Sequence, residues 1–187
     1  VKALTEANFR LNPGEHAAIV GDNGAGKSTF VRLITGAEPP NSGNIVLEGQ
    51  TVTFESPLDA RRQGIETVYQ TLALAEDLDV PANIFLGREI TRLNLGPLSI
   101  LHHSAMRSQS VDMLATTGVK IQDLSESLRG MSGGQRQCVA IARAAGFAKK
   151  RIILDEPTAA LGVQETARVE SIIKGVKQRQ IPLIIIS

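Results

Sequence analysis

Residues 21–29 read Gly-Asp-Asn-Gly-Ala-Gly-Lys-Ser-Thr, and this stretch decides the fold. It follows a short apolar segment at residues 16–20 and precedes a segment of helical character at residues 27–35. The pattern GxxxxGKS between a strand and a helix predicts a loop whose backbone N–H groups surround phosphate oxygens. Glycines permit this turn because they adopt positive φ angles, and the helix start favours negative charge. We therefore predict a nucleotide-phosphate site, in which Lys27 reaches the β- and γ-phosphates and Ser28 binds Mg²⁺.

The composition is that of an ordinary globular domain. Hydrophobic residues make up 42% and charged residues 21% of the 187 residues, which excludes intrinsic disorder. Lys and Arg total 20 against 19 Asp and Glu, and this net charge of +1 argues against a strongly basic nucleic-acid binder. The single cysteine, Cys138, excludes an intrachain disulfide framework and is compatible with a reducing cytoplasm. No apolar run in the sequence is long enough to span a bilayer.

Short apolar strands alternate with helices along the chain, which predicts an α/β fold with parallel pairing. We expect a P-loop NTPase with a RecA-like parallel sheet core, a small antiparallel β part and an inserted α-helical subdomain. The core is predicted at residues 1–71 and 130–187 and the helical subdomain at residues 72–129. Further predicted strands are residues 4–11, 65–69, 152–154 and 183–186, with a hairpin at 44–54 and helices at 82–87, 103–117, 134–148 and 164–177.

A second chemical signal is the pair Asp155-Glu156, which ends the apolar strand at residues 152–154. Ligands of open α/β sheets bind at the carboxyl ends of the strands, where Asp155 would lie. There Asp155 can hold Mg²⁺ or its water shell, as the second acidic element of P-loop NTPases does. Glu156, just before Pro157, is placed to polarise the attacking water.

Three further segments complete a pattern that resembles the ATP-binding cassette ATPases, the motor subunits of ABC transporters. Residues 131–135, Met-Ser-Gly-Gly-Gln, resemble the LSGGQ signature motif, with Met in place of Leu. Residues 68–70, Val-Tyr-Gln, resemble the Q-loop, and residues 159–162, Ala-Ala-Leu-Gly, stand where the D-loop usually reads SALD. All the motifs occur in family order, and together they cover essentially the whole chain.

The resemblance narrows to the ATPases of bacterial simple-sugar importers of the ribose, xylose and fructose type. Two strings carry it, TVYQTLALAEDLDVPANIFLGREI at residues 67–90 and DEPTAALGVQET at residues 155–166. In that group the D-loop often ends in Gly, as it does here at Gly162.

The resemblance implies roles for individual residues. Glu156 would be the catalytic carboxylate, and Gln70 would contact Mg²⁺ or the attacking water. Asp155 and Ser28 would complete the metal ligands. The phosphates of ATP would be bound by Gly21, Asn23, Gly24, Ala25, Gly26, Lys27, Ser28 and Thr29 of one cassette, and by Ser132, Gly133, Gly134 and Gln135 of the other cassette of a dimer.

The resemblance also implies partners and a location. We expect a homodimer or pseudo-dimer of cassettes, transmembrane permease subunits, an indirect link to a periplasmic or extracellular sugar-binding protein, and no nucleic acid. The chain would sit at the cytoplasmic face of the cell membrane, attached through its partners. Residues 72–86, with the face around Phe85, are the predicted permease contact. The adenine-stacking aromatic and the switch histidine of the family are expected before Val1 and after Ser187, so that residues 1–187 form one cassette domain truncated at both ends.

The alternatives to a transport ATPase are other ATP-binding or GTP-binding proteins. A non-transport cassette ATPase of DNA repair or translation usually carries coiled-coil insertions or tandem cassettes, and a fragment without the switch histidine would bind ATP with little hydrolysis. A GTPase or P-loop kinase lacks the signature motif. Simple packing or surface roles are predicted for His16, His102, His103, Cys138, Tyr69, Phe54 and Phe9.

Overall fold

The computed structural model describes residues 3–93 and 98–187. The chain divides into two compact units. The first comprises Val1–Gln70, Phe147–Pro157 and Arg179–Ser187, and the second comprises Thr71–Gly146 and Thr158–Gln178. In chain order the elements are β1 (His16–Ile19), α1 (Lys27–Ile34), β2 (Ile45–Leu47), β3 (Gln50–Val52), α2 (Pro57–Arg62), β4 (Ile65–Val68), α3 (Val80–Ile84), β5 (Thr91–Leu93), β6 (Ile100–Leu101), α4 (His103–Thr117), α5 (Gly133–Phe147), β7 (Arg151–Asp155), α6 (Val163–Gln178) and β8 (Leu183–Ile186).

The first unit is built on a parallel four-stranded sheet in the spatial order β1-β8-β7-β4. The central strand β7 has three consecutive side chains that are at most 1% exposed, Ile152, Ile153 and Leu154. An uninterrupted apolar run of this kind is typical of a parallel strand that is covered on both faces. The predicted α/β class with a parallel sheet core is therefore confirmed.

One apolar cluster joins the sheet of the first unit to its helices. Val31 of α1 and Ala60 of α2 belong to the same buried cluster as Ile153 of β7 and Ile184 of β8. Burying a side chain of this size contributes roughly 1.5–3 kcal/mol, so the helix that follows the Gly-rich loop is fixed to the sheet by its own apolar face. Phe54 is buried in this cluster, which confirms its predicted core role.

The predicted hairpin is confirmed as β2 and β3, which pair antiparallel. Its two turn residues both have positive φ, 54° at Glu48 and 81° at Gly49, as a two-residue hairpin of type I′ requires. The short helix α2 lies outside the sequence prediction. Its signal is the Ser56-Pro57 start, where the Ser56 hydroxyl donates to Asp59 Oδ2 at 2.9 Å.

The predicted strand at residues 4–11 is wrong, since this segment forms no strand and pairs with no element of the sheet. Only Leu11 packs against the apolar cluster. Phe9 is 43% exposed, so its predicted core position is also wrong, and its ring instead forms an edge-to-face pair with Phe30, with the ring centroids 5.4 Å apart. Hydrophobic alternation over eight residues is too weak to specify a strand without a pairing partner.

The second unit is mainly helical. α4 packs against α3 and α6, and its bounds match the predicted residues 103–117. His102 caps α4 by accepting a hydrogen bond from the Ala105 N–H at 3.2 Å, which gives this histidine a structural role. Residues 158–178, whose helix α6 packs on α4, group with this unit rather than with the parallel sheet, and so do residues 130–146. Within the described residues, no helix has the length and apolarity needed to cross a membrane.

Asn83 of α3 fixes the segment that follows the Q-loop motif. Its side chain is fully buried, and its Oδ1 accepts from the Ala75 N–H at 2.8 Å. Its Nδ2 donates to the carbonyl oxygens of Ala75, Leu78 and Asp79 at 2.9, 3.1 and 3.0 Å. One side chain thus supplies the Ala75 N–H with an acceptor and gives each of these three carbonyl oxygens a second donor, beside the backbone N–H groups that they already accept from. Phe85, which follows α3, is only 2% exposed, so its side chain packs inside this unit, and the predicted permease contact of residues 72–86 stays a prediction.

The same segment is also tied to α5, the helix that follows the signature motif. Arg143 donates to the carbonyl oxygen of Ala73 at 2.8 Å, and Arg136 forms an ion pair with Glu76. The loop after Gln70 and the signature helix are therefore held as one body inside the second unit.

We predict that Asn83→Ala lowers the free energy of unfolding by about 3 kcal/mol, because it removes four hydrogen bonds of a fully buried side chain and takes the Asn83 acceptor away from the Ala75 N–H. Urea unfolding of the variant and of Asn41→Ala, an exposed asparagine, measures this. A loss below about 0.5 kcal/mol, the size expected of a surface change, would contradict the role assigned to Asn83.

Candidate functional site

The Gly-rich loop connects β1 to α1, and its backbone requires glycine at Gly26. This residue is the N-cap of α1 with a φ of 90°. A Cβ there would lie 2.7 Å from the carbonyl oxygen of Ala3 and 2.8 Å from Leu4 Cδ2, so a side chain does not fit. The turn is closed by the Ala25 N–H, which donates to the Asp22 carbonyl at 3.1 Å. The tight loop predicted from the glycine spacing is therefore present.

The loop is chemically suited to an anion. α1 begins at Lys27 without an acidic residue in its first turn, and no described side chain caps its N-cap residue Gly26. The N–H groups of a helix start carry partial positive charge and need acceptors. The Lys27 ammonium donates to the carbonyl oxygens of Gly21 and Asp22, the second at 3.4 Å, so its charge lies over the loop. Phosphate oxygens are the ligands that such a donor set takes.

The two acidic residues lie at the carboxyl end of β7, at the same edge of the sheet as the Gly-rich loop. Asp155 is the last residue of β7 and pairs with Ile186 of β8, which in turn pairs with Ile19 of β1. The Glu156 N–H donates to the Ile186 carbonyl at 3.0 Å, and the Ser187 N–H donates to the Ile19 carbonyl at 3.0 Å. β8 alone therefore separates β7, which ends at the carboxylates, from β1, which precedes the Gly-rich loop. The axes of β1 and β7 lie roughly 10 Å apart.

The electrostatic environment of Asp155 and Glu156 favours a cation. Burial raises the pKa of Asp155, and the neighbouring Glu156 carboxylate raises it further. The positive charges of Lys27 and Arg32 act in the opposite direction. A carboxylate that is penalised by burial and by a like charge gains most from a bound positive ion.

Glu156 adopts a backbone conformation that few non-glycine residues take. Its φ is 48°, in the left-handed region, and Pro157 follows it. Such conformations cost about 1–3 kcal/mol and persist where the surrounding structure fixes them, commonly at functional sites. The hydrogen bond from Glu156 to β8 supplies that constraint, and nothing in the sequence indicated it.

Gln70 lies at the same edge of the sheet, on the side of β7 away from the Gly-rich loop. It stands two residues beyond β4, whose last residue, Val68, pairs with Leu154 of β7. The side chain of Gln70 is exposed. The sheet thus brings the Gly-rich loop, the acidic pair and Gln70 to one edge of the first unit.

The signature segment lies in the second unit and starts α5. The Ser132 N–H donates to Gln135 Oε1 at 2.8 Å, and the Gln135 N–H donates back to Ser132 Oγ at 3.3 Å. This reciprocal pair is a capping box, for which the Ser-x-x-Gln spacing is the sequence signal. Met131, the residue that replaces the usual leucine, is buried.

Sequence reasoning missed Glu165 on α6, which contacts the signature segment. Its Oε1 accepts from Ser132 Oγ at 2.8 Å and from the Gly134 N–H at 3.2 Å, while its Oε2 accepts from the Gly162 N–H at 3.4 Å. The hydrogen bond from Ser132 first, and those from Gly162 and Gly134 next, hold the pKa of Glu165 below its usual value. The signal was available, because Gly162-x-x-Glu165 has the spacing of a helix start that is capped from its third position.

Cys138 and the histidines take no part in these sites. Cys138 is buried in α5, and burial raises the pKa of its thiol to about 11, so it behaves as a packed apolar group. Among the described residues, no three His, Cys, Asp or Glu side chains gather as a metal-binding group. A magnesium ion does not need one, since it is commonly bound by one or two protein ligands together with phosphates and water.

Known sequences match this chain over its whole length. The family described as ABC transporter matches residues 4–159. The chain is 48% identical to the fructose import ATP-binding protein FrcA of Rhizobium meliloti, of which it covers 73%. It is 44% identical to the xylose/arabinose import ATP-binding protein XylG of Sulfolobus acidocaldarius, of which it covers 72%. It is 36% identical to the ribose import ATP-binding protein RbsA 1 of Streptomyces coelicolor, and it spans 36% of that longer protein.

Solved structures share the fold. A nucleotide-free ATP-binding cassette from an ABC transporter matches with a TM-score of 0.83 and 25% identity, over 99% of this chain and 75% of that one. The cbiO1 protein of Clostridium perfringens matches with a TM-score of 0.76 and 28% identity, over 99% of this chain and 71% of that one. The family predicted from the motifs is confirmed, and the chain belongs to the ABC transporter family as one of its ATP-hydrolysing cassettes.

Proposed function

We propose that this chain binds and hydrolyses ATP to drive a membrane importer for a monosaccharide. The observation that carries the proposal is the single edge of the parallel sheet, where the Gly21–Ser28 loop and the Asp155-Glu156 pair flank the end of β8. The names of the relatives, which are import proteins for fructose, xylose or arabinose, and ribose, favour transport over a non-transport cassette ATPase.

The Gly-rich loop binds the phosphates of ATP in this proposal. Backbone N–H groups of residues 23–29 and the Lys27 ammonium donate to phosphate oxygens, and the start of α1 stabilises their negative charge. The donors are already arranged by the glycine conformations, so little ordering is needed when ATP binds.

Three oxygen donors fit a magnesium ion. The Ser28 hydroxyl and the Asp155 carboxylate would hold it, with the Gln70 amide oxygen as the third candidate, and all are ligand types that Mg²⁺ takes. Asp155 fits this role because a cation offsets the two effects that raise its pKa. When bound, Mg²⁺ supplies positive charge that neutralises the phosphates.

Glu156 acts as the general base of the hydrolysis. It accepts a proton from water while the water oxygen forms a bond to the γ-phosphorus and the bond to the β–γ bridging oxygen breaks. Its fixed backbone holds the carboxylate at the sheet edge. Gln70 orients the water or the metal from the β4 side, and its place at the end of β4 lets it report occupancy to the segment that follows.

Two cassettes complete each other. Ser132, Gly133, Gly134 and Gln135 of one cassette bind the γ-phosphate of ATP held by the other, so ATP closes the dimer and hydrolysis reopens it. Permease subunits at the cytoplasmic face of the membrane convert this movement into sugar uptake, with a sugar-binding protein upstream. Leu78 and Leu86, which are 38% and 41% exposed, are the large apolar residues of the predicted contact segment that are exposed and could meet a permease.

The proposed transport role is tested by reconstituting the cassette in liposomes with the permease subunits and sugar-binding protein proposed as its partners. We expect phosphate release to rise several-fold with one class of monosaccharide, because sugar loading closes the transport cycle. No stimulation by any monosaccharide, with MgATP still bound, would overturn sugar import while leaving the cassette assignment in place.

We predict that Lys27→Ala and Glu156→Gln separate binding from chemistry. Lys27→Ala weakens ATP binding by roughly ten- to a hundredfold because it removes charge-assisted hydrogen bonds to phosphate. Glu156→Gln leaves binding within about twofold of the parent, yet reduces turnover by roughly 10²- to 10⁴-fold, the usual contribution of a general base. Calorimetry and phosphate-release assays measure the two, with the exposed Lys149→Ala as control. Equal turnover in Glu156→Gln and parent would remove Glu156 from the mechanism.

We predict opposite effects of Asp155→Asn on the metal and on stability. The concentration of Mg²⁺ that supports half-maximal ATP binding should rise by at least about tenfold, since one charge pair near a protein surface exceeds 1.4 kcal/mol. Without Mg²⁺ the variant should melt no lower than the parent, because it removes a charge that burial and Glu156 disfavour. The exposed Asp112→Asn, with the same change in charge, should alter neither quantity.

A further inference from the structure

The phosphate-binding donors of the signature segment already have an acceptor within this chain. The Ser132 hydroxyl and the Gly134 N–H, at the start of α5, both donate to the same atom, Glu165 Oε1. The donors form one pocket of positive potential, since a helix start and a hydroxyl converge there. A carboxylate oxygen therefore stands where the proposed function places an oxygen of the γ-phosphate from the second cassette.

The contact of Glu165 with Ser132 and Gly134 depends on specific residues of the sequence. A Cβ on Gly134 would lie 2.8 Å from the Cβ of Glu165, so glycine at this position is what lets α6 approach the start of α5. The second oxygen of Glu165 accepts from Gly162, which fixes the carboxylate at both ends. These bonds also keep Glu165 ionised, because they lower its pKa.

We propose that Glu165 is an internal competitor for the γ-phosphate, which must leave Ser132 and Gly134 before the signature segment can bind ATP across the dimer. The inference rests on the proposed function, since it concerns the same anion site. The Ser132 hydroxyl has one hydrogen and the Gly134 amide has one, so neither donor serves Glu165 and a phosphate at full strength. Glu165 thereby sets how much ATP is needed to close the dimer.

The displaced carboxylate has a partner nearby. Arg168, one turn further along α6, already acts electrostatically on Glu165. It also lines a cavity of about 420 Å³ in the second unit together with Gln135 of the signature segment. If the Glu165 side chain rotates toward Arg168, its charge stays paired while the Ser132 hydroxyl and the Gly134 N–H are released.

The test measures ATP-driven dimerisation in the Glu156→Gln background, where ATP is not consumed. Sedimentation velocity over a series of MgATP concentrations gives the half-maximal value for the parent, for Glu165→Gln and for Glu165→Ala. We expect both variants to dimerise at roughly three- to tenfold lower ATP, the scale of one charge-assisted hydrogen bond. Glu170→Gln, an exposed glutamate on the same helix, is the matched control and should leave the value unchanged.

Thermal melting without nucleotide separates competition from a structural role. Glu165→Gln should melt lower than the parent, because a carboxylate at a helix start is stabilising. A competitor therefore gives lower stability together with easier dimerisation, whereas a purely structural residue gives lower stability and harder dimerisation. Half-maximal ATP that is unchanged or higher in Glu165→Gln overturns the competitor role, and absence of dimerisation in the parent at any ATP concentration overturns the proposed function itself.

Discussion

The hydrogen bonds of β8 to β1 on one side and to β7 on the other are the constraint on which the rest of the molecule depends. Ile186 pairs with both Ile19 and Asp155, so the end of one strand fixes the separation of the Gly-rich loop and the acidic pair. Ile19 and Asp155 lie more than 130 positions apart in the sequence, and no local interaction could bring them together. A shift of the register by one residue would turn Asp155 to the other face of the sheet.

Several features of the site at this edge raise the free energy of the ligand-free protein. Asp155 and Glu156 are adjacent like charges, Asp155 is partly buried, and Glu156 holds a left-handed backbone before a proline. Each feature disfavours the free protein, and a cation beside the pair would offset the first two of them. The apolar cluster of β7, β8 and α1 supplies the stability that holds the strained segment in place.

The two loops that are proposed to bind phosphate use the same physics with one difference. Both lie at a helix start that has no acidic residue in its first turn, α1 for the Gly-rich loop and α5 for the signature segment. The first carries its own cation, Lys27, whereas the second meets an anion, Glu165, from a neighbouring helix. In the proposed function the first loop is thus arranged to bind its ligand directly, while the second would bind only by displacing a contact of its own chain. This asymmetry suits a machine whose second step should wait for a sufficient ATP concentration.

The sequence by itself determined the family and the parallel α/β core and predicted most residues of the proposed site, because glycine spacing, apolar runs and acidic strand ends are local patterns. Long elements such as α4 follow from local capping and were predicted to the residue. The tertiary structure alone decided the exposure of Phe9, the absence of a strand at residues 4–11, the backbone of Glu156 and the contact of Glu165 with Ser132. Each of these depends on which partner a segment meets in space, and hydrogen bonds between residues far apart in the chain leave no periodic trace in the sequence.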